Sequence, residues 1–254
     1  MKEFQPQILR FDSLSSTNTE AARQSSQGAE EGLCIVAKEQ TAGRGRLQRA
    51  WASPMGAGLY FSIVLRPVVD AARWSLLPLM AALAVYDALR EACDLETDIK
   101  WPNDILVGER KLCGILAETI DTNVGRAAIV GIGINLTSEA FPVELRETAT
   151  SVEAATGKTL EAEAVLQALI RALECRYTMF QTEAGAVEII LEWSQHSTYA
   201  NGKRVRVSNG SETFAGLTRG LEPDGALRVE TDAGEIKVVR AGDVSIVRPS
   251  KSSV

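Results

Sequence analysis

An α+β body followed by a small β-barrel is the architecture this sequence predicts, on three observations. Between residues 8 and 197, apolar runs of strand length alternate with helical periodicities long enough to cover a sheet. Within that body the runs 98–107, 111–120 and 127–136 follow one another with joints too short for crossovers, so they pair as an antiparallel meander. Beyond Tyr199, short β-type runs are separated by Asn-Gly, Pro-Asp-Gly and Ala-Gly turns, the pattern of a small barrel. The expected domains are residues 1–197 and 198–254.

Taken in order, residues 8–14 alternate as a strand and lead into Ser15-Ser16-Thr17-Asn18-Thr19-Glu20. Thr17 and Glu20 have capping-box spacing, and the AARQSS that follows carries a helix. Residues 33–40 (LCIVAKEQ) form a buried strand. The stretch 41–58 is a long loop with four glycines, three arginines and one proline, and loops of that length inside a compact domain are usually functional or disordered. Residues 58–67 resume a strand with Leu59, Phe61 and Ile63 on one face. Leu76, Leu79, Leu83 and Leu89 place a core-facing helix over 75–93. Two more helices are expected over 161–180, from Val165, Leu169, Leu173 and Tyr177, and over 184–194. SKSSV at 250–254 reads as a polar tail.

Composition narrows the chemistry. The chain has 254 residues with 27 basic and 33 acidic side chains, a net charge of −6, which disfavours binding to nucleic-acid backbones. Its four cysteines, at 34, 93, 113 and 175, form no CxxC pair, which argues against a zinc ribbon or disulfide framework. A single histidine, His196, excludes a multi-histidine metal site and reads as a surface or interdomain residue. No run of about 18 apolar residues is present and the first fourteen residues hold no apolar signal core, so a cytoplasmic location without membrane contact is expected.

Three segments carry chemistry. Gly43-Arg44-Gly45-Arg46-Leu47-Gln48-Arg49-Ala50-Trp51 combines glycines, which let backbone approach a ligand closely, with guanidinium forks suited to carboxylate or phosphate oxygens. Its plain alternative is a solvated basic loop, since it lacks both the strand–helix setting of a dinucleotide fingerprint and a P-loop GK[ST] ending. In Lys100-Trp101-Pro102-Asn103-Asp104, the proline breaks the strand and leaves Asn103 and Asp104 at the break. Lys111, from Lys111-Leu112-Cys113-Gly114, turns back toward the same place; the plain alternative is a β-turn with a solvated lysine. Gly131-Ile132-Gly133-Ile134-Asn135 puts two glycines inside an apolar strand, which marks either a close approach to its backbone or a bulge.

In this order, and with Ser16-Thr17-Asn18 and Glu39-Gln40-Thr41-Ala42 before them, these segments strongly resemble the biotin protein ligases over the body and the carboxy-terminal barrel. The family loop usually reads GRGRxGRxW, and here Gln48 stands at the third glycine. The resemblance implies a catalytic body related to class II aminoacyl-tRNA synthetases, with an SH3-like barrel behind it. The implied activity is ATP-dependent: biotin and ATP give biotinyl-5'-AMP, and biotin then passes to one lysine of a biotin carboxyl carrier protein, with Mg²⁺ accompanying ATP on unspecified protein ligands. Lipoate-protein ligase and a non-catalytic biotin or adenylate sensor are the alternatives.

By the same resemblance, Ser16, Thr17, Asn18 and Gln40 hold the biotin ureido ring, whose carbonyl and two N–H groups suit hydroxyl and amide partners. Gly43, Arg44, Gly45 and Arg46 wrap the carboxylate–phosphate junction, Lys111 contacts its oxygens, and Gly114 and Gly131 line the pocket. Arg46, Arg49, Trp51, Asn103, Lys111 and Asn135 are the expected ATP or adenylate contacts. Arg46, Lys111 and Asp104 are the catalytic candidates, with Asp104 orienting the acceptor lysine. Some family members carry a DNA-binding domain ahead of the body. Here the first motif begins at residue 16, so a form without that domain and without DNA binding is expected. Whether the chain is a monomer or a homodimer is not legible.

Overall fold

The computed structural model describes residues 5–139, 141–210 and 212–247. The tail read at 250–254 and the first four residues lie outside them. Strand β1 (Gln7–Leu14), helix α1 (Thr17–Ser26) and strand β2 (Leu33–Gln40) form a β-α-β unit with β1 and β2 parallel. Strand β3 (Gly58–Leu65) runs antiparallel to β2, and helix α2 (Leu77–Cys93) follows a short 3-10 turn. Then come β4 (Asp98–Lys100), β5 (Asp104–Val107), β6 (Arg110–Thr122) and β7 (Gly125–Asn135), which complete a mixed sheet ordered β1-β2-β3-β7-β6-β5-β4. The meander expected over β5, β6 and β7 is present and antiparallel.

The two faces of this sheet have different jobs, and the period-2 alternation separates them. One face sends Leu59, Phe61 and Ile63 of β3, Cys113 and Ile115 of β6, and Ile132 and Ile134 of β7 into the main core, beneath α2 and α4 (Ala162–Phe180). The alternate residues, Tyr60, Ser62, Gly114, Gly131 and Gly133, share the opposite face, since Ser62 pairs with Gly131 and Tyr60 and Gly114 both pair with Gly133. α1 covers part of that face over a smaller cluster of Ala21, Ile35, Val64 and Ile129. What α1 leaves uncovered is small and polar.

Three local expectations are corrected. The run 98–107 is not one strand: β4 and β5 form a hairpin pairing Lys100 with Asp104, and the turn holds a cis Trp101–Pro102 peptide. Proline cannot donate to a ladder, so the chain reverses there. The capping box at Thr17 and Glu20 does not form. Ser16 is the N-cap, the Thr17 hydroxyl donates to Gln40 instead, and Glu20 accepts from Arg23. The helix read over 75–93 starts at Leu77, with Pro78 in its first turn, where a missing N–H costs nothing. A short helix that was not anticipated, α3 (Val152–Thr156), is capped by Ser151, whose Oγ accepts from the Ala154 N–H at 3.1 Å.

After α5 (Gly185–Gln195), strands β8 (Asn201–Ser208), β9 (Thr213–Leu221), β10 (Leu227–Thr231), β11 (Ile236–Val239) and β12 (Asp243–Ile246) make a small antiparallel sheet ordered β11-β10-β9-β8-β12. Several hydrogen bonds and an ion pair fasten it to the body, Ser75 Oγ to the Asp224 carbonyl at 2.8 Å among them. The buried Trp101 Nε1 donates to the Gly225 carbonyl at 2.9 Å, and Arg46 Nη1 donates to the Gly242 carbonyl at 3.2 Å. His196 stacks on Tyr86 with centroids 4.2 Å apart, beside the joint between the two sheets.

Candidate active site

All the residues nominated from the sequence, except Gly43 and Asn135, line one cavity of about 140 Å³ on the polar face of the large sheet. Its inner end is built by the start of α1. The side-chain oxygen of Gln40 accepts from the Thr17 backbone N–H at 2.9 Å and from the Thr17 hydroxyl at 3.1 Å, while its amide nitrogen donates to Ser53 Oγ at 2.7 Å. Asn18 Nδ2 donates to the Leu116 carbonyl at 3.2 Å and to Glu118 Oε2 at 2.8 Å, and Asn18 Oδ1 lies 2.6 Å from Ser62 Oγ. Ser16, Thr17 and Asn18 are nearly inaccessible to solvent, so this hydrogen-bonded network is held rigidly.

The glycines explain how this end fits against the strands. A Cβ on Gly131 would lie 2.0 Å from Asn18 Oδ1, and one on Gly133 would lie 2.5 Å from Trp51 Nε1. Gly114 is likewise crowded by Trp51 and Lys111 at 3.0 Å. The close approach that the sequence foretold is therefore made by the protein's own side chains, which form the cavity walls. Gly43 lies outside the cavity at the neck of the loop, where a Cβ would meet the Trp51 carbonyl oxygen at 2.4 Å.

The arginine-glycine loop is folded over the cavity rather than extended into solvent. Gly45 N–H donates to the Arg49 carbonyl at 2.7 Å and Trp51 N–H to that of Gly43 at 2.9 Å, closing a small hairpin. Its arginines point three ways. Arg44 pairs with Glu118 at 2.7 Å, Arg46 lies 3.4 Å from Asn103 Oδ1, and Arg49 pairs with Asp243 of the small sheet. Burial pulls the Arg46 guanidinium below its ordinary value, against the opposing pull of the Asp243 and Asp104 carboxylates.

Leu47 and Gln48 at the loop tip have φ of 53° and 59°. Two successive left-handed non-glycine residues cost roughly 1–2 kcal/mol each. Gln48→Gly is therefore expected to stabilise the loop by up to about 1 kcal/mol once the larger chain entropy of glycine is deducted. Slower proteolytic cleavage at 43–51 would register the gain, and cleavage at an unchanged or faster rate would contradict it.

Lys111 and Asp104 meet because of a bulge. β5 and β6 shift register between Ile105 and Leu106, and the Lys111 side chain, opposite Leu106, reaches back along the strand. Its Nζ lies 2.6 Å from Asp104 Oδ1 and 5.1 Å from the centre of the Trp51 ring, while Lys100 Nζ lies 3.8 Å from Asp104 Oδ2. The backbone of Lys111 is held by the 148–150 segment through Lys111 N–H to the Thr148 carbonyl and Thr150 N–H to the Lys111 carbonyl. Asn135 serves that strap: its Nδ2 donates to the Thr150 carbonyl at 3.0 Å.

A second cavity, about 470 Å³, opens beyond Trp51 and Lys111. It shares both residues and Asp104 with the first, and Asn135, Phe141, Leu145 and Tyr199 line it. Two chambers thus join at a lysine, a carboxylate and an indole. No cysteine lines either cavity: Cys34 and Cys113 belong to the core, where burial pushes the Cys34 thiol up to about 12 and raises that of Cys113 too.

Residues 10–135 match the Biotin/lipoate A/B protein ligase family, and residues 201–247 match the Biotin protein ligase C terminal domain. The bifunctional ligase/repressor BirA of Bacillus subtilis is 38% identical over 94% of this chain and 74% of its own length. The biotin–(acetyl-CoA-carboxylase) ligase of Mycobacterium tuberculosis is 34% identical over 92% and 86%. The chain belongs to the biotin protein ligases. The fold agrees: the biotin protein ligase of Aquifex aeolicus, solved with biotin and ATP, superposes with a TM-score of 0.80 at 30% identity, over 95% of this chain and 99% of that one.

Sequence reasoning did not single out several residues that build these cavities, among them Phe141, Leu145 and Tyr199 of the larger one. Around the smaller one, Ser62 and Ser53 stand beneath the Thr17–Gln40–Asn18 network, Glu118 joins Asn18 to Arg44, and Asp243 reaches the cavity from the small sheet. A polar residue inside the apolar run GLYFSIVL was the available signal for Ser62. Nothing local marks Asp243.

A divalent ion has no ready-made cage here. Among the described residues no three His, Cys, Asp or Glu side chains cluster, and the two carboxylates lining the cavity, Asp104 and Asp243, are each paired with cations.

Proposed function

We infer that the chain is an ATP-dependent biotin–protein ligase that makes biotinyl-5'-AMP and passes biotin to a lysine of a carboxylase carrier domain. The observation that carries this is the junction of the two chambers at Lys111, Asp104 and Trp51, with a hydroxyl-amide pocket on one side and an aromatic-walled cavity on the other. The Aquifex aeolicus relative, solved with biotin and ATP together, supports an enzyme that takes both substrates.

In this reading the ureido ring sits against Ser16, Thr17, Asn18 and Gln40, and its carboxylate points toward Arg46 and Lys111. The adenosine occupies the larger cavity between Trp51, Phe141 and Tyr199, with Asn135 at its edge, while Asn103 lines the smaller chamber beside Arg46. A biotin carboxylate oxygen attacks the α-phosphorus, the bond to pyrophosphate breaks, and pyrophosphate leaves with the electron pair. Two anions must approach for this, so Arg46 and Lys111 neutralise charge that grows on the phosphoryl oxygens. Mg²⁺ would enter with the triphosphate, since the described residues offer no cluster of their own to hold it, and would supply further neutralisation of that charge.

In the second half-reaction the lysine amine attacks the acyl carbon and AMP leaves. Asp104 is placed to receive and orient the incoming ammonium, which must lose a proton before it attacks. Asp104→Asn is expected to keep adenylate formation within about threefold while slowing single-turnover transfer to a carrier lysine by about 10²-fold, the scale of a positioned acid–base group. Equal losses in both half-reactions would remove Asp104 from that role. The reading as a whole is tested by incubating a biotin carrier domain with the chain, ATP, Mg²⁺ and either biotin or lipoate. Biotin on a single lysine supports it, and lipoate there instead reassigns the substrate.

A further inference from the structure

We propose that Glu118 is a positioning residue that fastens the arginine-glycine loop to the amide reading the substrate ring, and so helps to select an acid whose ring carries N–H groups. The proposal rests on the biotin reading of the cavity. It begins from one atom: Glu118 Oε2 accepts from Asn18 Nδ2 at 2.8 Å and from Arg44 Nη2 at 2.7 Å. Asn18 belongs to the first turn of α1 and Arg44 to the loop, so a single carboxylate oxygen on β6 joins the floor of the pocket to its cover.

The arrangement fixes which way Asn18 faces. Its two amide hydrogens go to the Leu116 carbonyl and to Glu118, and its oxygen takes Ser62. A flipped amide would set Oδ1 against a carbonyl and a carboxylate, two acceptors with no proton between them. Held as it is, Asn18 keeps the second lone pair of Oδ1 for a donor in the cavity, such as a ring N–H. A dithiolane ring has no such donor and gains nothing from it. Gly131 makes room for this placement, because Asn18 Oδ1 occupies the space that a Cβ would fill.

The Arg44–Glu118 pair is partly exposed, at 45% and 33%, and an exposed ion pair alone is worth little. Its effect comes from the shared oxygen: the carboxylate charge that orients Asn18 is the charge that holds Arg44, so loop closure and ring recognition are coupled.

The test compares wild type, Glu118→Gln, Glu118→Ala, Arg44→Ala and the Arg44→Ala/Glu118→Gln double variant. Biotin-dependent pyrophosphate exchange, biotin calorimetry, the lifetime of the enzyme-bound adenylate and the melting temperature would be measured for each. Loss of one charge-assisted hydrogen bond is expected to raise the biotin KM of Glu118→Gln about tenfold, with kcat and the ATP KM within about twofold. The adenylate should escape faster by a similar factor, and the double variant should be no worse than the poorer single one. Unchanged biotin KM and adenylate lifetime in both Glu118 variants would overturn the proposal, as would single effects that multiply in the double variant. A lower melting temperature with parallel losses toward biotin and ATP would assign Glu118 to the scaffold and overturn it too. A wild type without biotin-dependent exchange would sink the biotin reading itself, a result separate from any Glu118 variant.

Discussion

Lys111→Ala is expected to cost biotin-dependent adenylation at least about 10²–10³-fold in kcat, the usual loss when one preorganised group at a developing charge is removed. Lys111 is the one cation that lines both chambers beside Asp104 and Trp51. Its removal does more than subtract a positive charge, because Asp104 would keep only Lys100, at 3.8 Å, and would face the phosphate as a poorly compensated anion. Lys111→Arg should recover little, since the planar fork is bulkier than an ammonium and the Lys111 side chain is packed against Gly114 and the Trp51 ring on its way to Asp104. Single-turnover formation of the adenylate is the appropriate measurement, with biotin binding as the control. A variant that binds biotin normally and adenylates within tenfold of wild type would remove Lys111 from the chemistry.

Gly131→Ala should be the most damaging single methyl group in the protein for biotin affinity. Its Cβ would arrive 2.0 Å from Asn18 Oδ1, far inside contact distance, in a strand where backbone cannot retreat. Asn18 must then move and surrender bonds to Leu116, Glu118 and Ser62. Overpacking of this kind costs typically 1–3 kcal/mol, which corresponds to biotin affinity weakened about 10–100-fold. ATP binding should be nearly unaffected, because the larger cavity lies beyond Trp51 and does not include Gly131. Equal weakening toward both substrates would show that the sheet itself, and not Asn18, had been disturbed.

The site was legible where its residues are contiguous and their types unusual. The Gly43–Trp51 loop, the Lys100–Asp104 segment and the Gly-Ile-Gly-Ile-Asn strand could each be singled out because glycine, proline or arginine sat where packing would choose otherwise, whereas Ser16-Thr17-Asn18 read locally as a helix start and stood out only through the family resemblance. Most of these residues converge on one cavity. The residues missed are ones whose role arises from register and docking. Ser62 matters because it stands opposite Gly131, Glu118 because two distant donors reach one of its oxygens, and Asp243 because the small sheet closes on the loop. None of those relations is local in the chain.

The same distinction covers the fold. Periodicity marked every long helix and strand, since a buried face leaves its period in the sequence. Local turn chemistry was misread where tertiary partners competed for it. Thr17 has the spacing of a cap, yet its hydroxyl is claimed by Gln40, and the break read at Pro102 within one strand reverses the chain between two. Asn135 was expected beside nucleotide. It lines the larger cavity, but its amide nitrogen is engaged by the strap that holds the Lys111 backbone.

A biotin carboxylate and an ATP α-phosphate are expected to be joined where the two chambers share Lys111, Asp104 and Trp51. Exchange of labelled pyrophosphate into ATP, with biotin, lipoate or octanoate present in parallel, measures that step without any carrier protein. Exchange that requires biotin and is absent with the other two acids is the predicted result. Exchange driven by lipoate, or none with any acid despite measurable biotin binding, would contradict it.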